Sequence, residues 1–126
     1  MKNLLFLFLI APLMAMTGFG LQEIGKALGS GDAATLGAHF DSSVEISIMD
    51  EADMFSKEEA ISAVGAFFKK FPPKSCNQVH QGSSKGKDSQ YTIFSLNTNG
   101  QKFRVFMYMK SVGSKEVIQE LSIDKE

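Results

Sequence analysis

Between Ser56 and Pro73 the sequence spells out one complete helix, with its start, buried face and end all legible. Ser56 and Glu59 form an S-x-x-E capping box, in which each side chain satisfies an orphan amide at the helix start. Ile61, Val64, Phe68 and Phe71 recur at the spacing of a single apolar stripe. Lys69 and Lys70 fall in the last turn, where positive charge suits the helix dipole, and Pro72 and Pro73 stop the helix. Gly65 costs about 1 kcal/mol relative to alanine inside such a helix, so it points to a neighbour that approaches closely. The helix constrains the fold through its place in the chain: two short helical patterns and one strand precede it, and only strands follow. That order predicts an α+β domain, a strongly bent antiparallel sheet wrapped around N-terminal helices, which is a ligand-cradling architecture.

The first twenty residues differ in kind from the rest. Lys2 is their only charge, and Leu4 to Ile10 is an unbroken apolar run before Ala11-Pro12. A basic start, an apolar stretch of this length and small residues beyond it read as a secretory signal. A membrane span would need about 20 apolar residues. Ala15-Met16-Thr17 and Gly18-Phe19-Gly20 both fit a cleavage site, which places a signal peptide at 1–20 and a single domain at 21–126. The expected address is exported, periplasmic or secreted, in a bacterial cell. No cysteine lies near either site, which argues against a lipid anchor.

The remaining chain carries a net charge of −2 once Lys2 is removed from the total of −1. That balance excludes the basic surface of a nucleic-acid binder. No second apolar stretch could span a membrane after signal removal. Cys76 is the only cysteine, so no internal disulfide forms, and its expected role is that of a small buried hydrophobe.

Leu21, Ile24 and Leu28 space a short first helix that ends at Gly29-Ser30-Gly31, and Asp32 caps a second with Leu36 and Phe40 on its buried side. Val44 to Ile48 alternates cleanly as a strand, and Asp50-Glu51-Ala52-Asp53 reads as a solvated connection into Met54-Phe55 and the capped helix. After the prolines the period changes to two. Strands are predicted at Asn77–Gly82, Gln90–Asn97, Phe103–Ser111 and Val117–Ile123, a meander of four. Ser83 to Asp88 is a polar hairpin loop, and Asn99-Gly100 is a tight hairpin turn because both residues tolerate positive φ.

The strand from Phe103 has two unlike faces. Phe103, Val105, Met107 and Met109 share one side; Arg104, Phe106, Tyr108 and Lys110 share the other. With Val44, Ile46 and Ile48, the first side forms an apolar concave face. The candidate ligand-binding residues are therefore Ile46, Ile48, Val105 and Met107, with Val64 and Phe68 from the helix, and Asp50 and Tyr91 at the rim. Arg104, Phe106 and Tyr108 are candidate interface residues, for a homodimer or another partner. The plainer alternative is that the cationic stems simply cover the aromatics.

This order of elements resembles the nuclear-transport-factor-2-like (NTF2-like) superfamily, whose bent sheet curls into a cone around helices. Four stretches resemble, more closely, a family of small exported bacterial proteins of unknown function within it. They are Phe67-Phe68-Lys69-Lys70-Phe71-Pro72-Pro73-Lys74-Ser75, Val79 to Ser84, and Phe103-Arg104-Val105 with Ile118 to Ile123. The resemblance implies the cone fold. Enzymes of the superfamily, such as ketosteroid isomerases and polyketide cyclases, carry an aspartate base and a tyrosine or second acid in the cone. That set does not map onto this chain.

The remaining motifs are weak. Gly82 to Lys87 is one residue short of a phosphate loop, and Asp88 stands where a magnesium-binding hydroxyl belongs. Asp50, Glu51 and Asp53 lack the alternating ligands and glycine of a calcium loop. His39 and His80 have no metal-ligand spacing, His39 fits the end of the second helix, and no serine sits in a G-x-S-x-G elbow. No cofactor is expected and no catalytic residue is assigned. Three functional readings stand: an exported, non-catalytic module binding a small apolar molecule or a protein partner; an isomerase-, cyclase- or hydrolase-type enzyme acting on a hydrophobic small molecule with Asp50, His39, Tyr91 or Tyr108; and a purely structural homodimer.

Overall fold

The reciprocal cap at Ser56 is present in the structure, a computed structural model that describes residues 20–83 and 88–126. The Glu59 amide donates to Ser56 Oγ at 3.3 Å, and the Ser56 amide donates to Glu59 Oε1 at 3.0 Å. The helix they start is the third in the chain, α3 (Lys57–Lys70), closed by the Phe71 amide on the Phe67 carbonyl at 2.8 Å. Before it, α1 covers residues 20–30 and α2 spans Ala33–Gly37. Gly31, at φ 71°, supplies the left-handed residue that ends α1. Asp32 then caps α2, accepting from the Thr35 amide at 3.1 Å and the Thr35 hydroxyl at 2.6 Å. The second helix is shorter than expected. It stops at Gly37, and Phe40 opens a strand instead of lying on the helix face.

Six strands, β1 (Phe40–Ile48), β2 (Glu51–Ser56), β3 (Pro73–Ser83), β4 (Ser89–Thr98), β5 (Gln101–Val112) and β6 (Lys115–Lys125), form one curved sheet. Their order is β2-β1-β6-β5-β4-β3, and β3 to β6 are the expected meander. Asn99-Gly100 makes the β4–β5 turn, with Gly100 at φ 93°. All neighbours are antiparallel except β1 and β6, which run parallel with Ile46 beside Leu121. Pro73 is the first residue of an edge strand, a place where its missing amide costs no ladder bond.

One expected connection is structured. Residues 51–53, read as solvated linker, begin β2, and the hairpin turn is Met49-Asp50. The reason is position: β2 is an edge strand whose residues are exposed except for half-buried Phe55, so it shows no apolar alternation. Met49 and Asp50 have φ of 48° and 76°, the left-handed pair of a two-residue hairpin turn. A non-glycine residue in this region costs about 1–2 kcal/mol, less for aspartate. The Met49 amide donates to the Ile123 carbonyl at 2.8 Å, tying the turn to β6.

The core lies between the helices and the concave face of the sheet. Ile24, Leu28, Leu36 and Val64 have no exposed surface and meet fully buried Leu96, Phe103, Val105 and Leu121 from the strands. Helix α2 packs on α3, and Gly37 lets the two approach at Ile61. Among the described residues no helix is long and apolar enough to cross a membrane. The signal segment expected at 1–20 lies outside the described residues except for Gly20, and so does 84–87 of the polar loop.

Candidate ligand groove and outer aromatic face

Ala63, Ala66, Phe67 and Lys70 fall three and four residues apart on α3 and so share a face. The two alanines are too short to fill the space toward the β1–β2 hairpin. A groove of about 620 Å³ opens there, bounded by Ile46, Ile48, Met49, Glu51, Ala52, Asp53, Phe55, Ala63, Ala66, Phe67, Lys70 and Phe71. Its aromatic end is closely packed. The Phe67 and Phe71 rings lie 5.3 Å apart, and each meets Phe103 edge-on, at 5.0 and 4.9 Å.

The rim is charged because of strand register. Ile46 pairs with Asp53 and Ile48 with Glu51, so both acids share the concave side with the isoleucines. Inward charge on an edge strand also discourages edge-to-edge pairing. The Asp53 carboxylate accepts from the Met54 amide at 2.8 Å, and Lys70 stands across the groove, 5.8 Å from the Phe71 ring centre.

Of the eight residues expected to line a ligand site, Ile46 and Ile48 bound the groove. Val64, Phe68, Val105 and Met107 lie instead in the filled core, none more than 5% exposed, because the helices pack directly onto that part of the sheet. Asp50 is exposed in the hairpin turn. Tyr91 occupies the opposite, outer face, since alternation along β4 sends Thr92, Phe94 and Leu96 inward. Pattern reading missed the β2 side of the groove, Glu51, Ala52, Asp53 and Phe55. Ala63-x-x-Ala66 beside the buried stripe was the available signal for a gap.

The outer face carries its own cluster. Tyr91 stacks on Phe106 with centroids 6.0 Å apart at 25°, sits opposite Tyr108, and is bonded to His80 Nε2 through its hydroxyl at 3.0 Å. Its ring covers Gly82, where an added Cβ would collide with it. Phe106 and Tyr108 are half-buried, while Arg104 is exposed and reaches Glu126 at 3.6 Å. His39 lies elsewhere, bonded to Glu23 of α1 at 2.9 Å, so it ties the turn after α2 to the first helix. Asp50, His39 and the tyrosine pair thus occupy three separate places. Among the described residues no group of three or more His, Cys, Asp or Glu is close enough to hold a metal ion.

Among the described residues two groups are shifted. Hydrogen bonds from the Thr35 hydroxyl and amide hold Asp32 below its usual carboxylate range. Burial pushes the Cys76 thiol up to about 11, leaving a protonated, poorly nucleophilic side chain under the end of α1.

A family profile described as "Domain of unknown function (DUF4783)" matches residues 21–124. A DUF4783 protein from Bacteroides uniformis is 28% identical, with a TM-score of 0.78 over 83% of this chain and 95% of its own. One from Bacteroides ovatus is 26% identical, also with a TM-score of 0.78, over 82% and 93%. An NTF2-like protein of unknown function from Shewanella baltica shares the fold at 12% identity, with a TM-score of 0.64 over 84% and 87%. No curated protein matches the chain. With nearly the whole described domain matched, the chain belongs to the DUF4783 family and has the NTF2-like fold.

Proposed function

We propose that this domain is an exported, non-catalytic binding module that takes a small apolar molecule in the groove between α3 and the β1–β2 hairpin. The observation that carries the reading is the groove itself: about 620 Å³, with an aliphatic and aromatic wall and charge only at its rim. Ligand pockets commonly hold about 300–1,000 Å³ and combine such walls with a few polar groups. Its ionisable residues, Glu51, Asp53 and Lys70, are exposed and serve orientation better than proton transfer.

The test is displacement of anilinonaphthalene sulfonate by myristate, in the wild type and in Ala66→Phe, which narrows the groove. Saturable binding that weakens in the variant supports the reading. No saturable binding, or equal binding by both proteins, removes it. Fractionation of cells, with mass measurement of the protein recovered outside the cytoplasm, tests export; an intact Met1 there would contradict signal removal. A second role, self-association through the outer face, is favoured by the half-exposed Tyr91–Phe106 stack.

A further inference from the structure

We infer that Met49 is a selectivity-determining residue of the groove, contacting the alkyl chain of an aliphatic amphiphile; this rests on the ligand reading above. The β1–β2 hairpin closes with two residues at positive φ, a turn that asparagine and glycine make most easily. Methionine holds the first position at φ 48°, where the backbone gains nothing from it. The turn is nevertheless fixed in place, because the Met49 amide is bonded to the Ile123 carbonyl of central strand β6 at 2.8 Å. Its side chain is half-buried, packs on one side against the edge of the core and on the other forms part of the groove wall next to Ile48.

An unfavourable backbone conformation kept at a site wall points to a role for the side chain. That side chain is unbranched, flexible and polarisable, so it can follow a flexible chain along its length. The aliphatic floor of Ile46 and Ile48 suits the same partner. Glu51, Asp53 and Lys70 sit where a polar head would remain in water.

The experiment compares wild type, Met49→Gly and Met49→Leu in two assays: myristate displacement of the fluorescent probe, and urea unfolding. In Met49→Gly the relaxed turn offsets the packing lost against the core, so the unfolding midpoint should stay at the wild-type value while myristate weakens by about tenfold, the worth of burying much of one such side chain. Met49→Leu restores an apolar wall and should bind within about threefold of wild type. If Met49→Gly binds myristate as wild type does, the groove reading stands and the role of Met49 falls. If Met49→Gly unfolds at lower urea, Met49 serves the fold and the inference also falls. If wild type binds no myristate, the alkyl-chain inference fails, and binding of the fluorescent probe then decides separately whether the groove takes apolar molecules.

Discussion

An added methyl group meets opposite fates at two glycines of the helical layer. A Cβ at Gly65 would touch only the Ala33 Cβ at 3.7 Å, an ordinary van der Waals contact. Gly65→Ala should therefore stabilise the protein by about 0.5–1 kcal/mol, by restricting the unfolded chain at no steric cost. At Gly37 the same atom would overlap Ile61 at Cγ1 and Cδ1. Isoleucine is stiff at its first torsion, so Gly37→Ala should destabilise by about 1–3 kcal/mol. Urea midpoints of the two variants check both signs. The sequence pointed to a neighbour approaching closely at Gly65; the tight approach is instead at Gly37, where α2 packs on α3 at Ile61.

At the scale of elements, the α2 cap makes stability depend on pH. Asp32 has a folded-state pKa below its unfolded one. Its stabilising effect is therefore complete above the ordinary carboxylate range and is lost as pH falls through the depressed folded value. The thermal midpoint of Asp32→Ala should trail wild type at neutral pH, and the gap should close in acid. A gap independent of pH would show that the carboxylate charge plays no part. The same carboxylate was legible in the sequence, as were the caps of α3, since each rests on residues three positions apart. Strand β2 was not legible: only Phe55 along it is shielded, and its pairing partner is what makes it a strand. Missing β2 hid the hairpin side of the groove. Ile46 and Ile48 could be found because β1 alternates, but Val64, Phe68, Val105 and Met107 share that apolar pattern and belong to solid core. Periodicity reports which face is buried; whether helix or solvent covers it depends on side-chain size across the gap, here Ala63 and Ala66.

The whole molecule presents a sheet whose outer face mixes rings and charges. If that face self-associates, Phe106→Ser should lower the average mass in light scattering at matched concentration, because it removes one ring of the Tyr91 stack. A wild-type solution already at monomer mass would end the dimer reading. The strand order carries a different consequence. β6, which a ribosome makes after the other five described strands, lies between β1 and β5 at the middle of the sheet. Until it arrives, β1 and β2 have no ladder to join the β3–β5 hairpins, and the apolar face of both halves stays open. Contacts this distant along the chain make folding slow. A chain threaded outward from its first residue would thus lack a continuous sheet until β6 had followed, and losing that strand would split the sheet in two where losing β2 or β3 would only trim an edge.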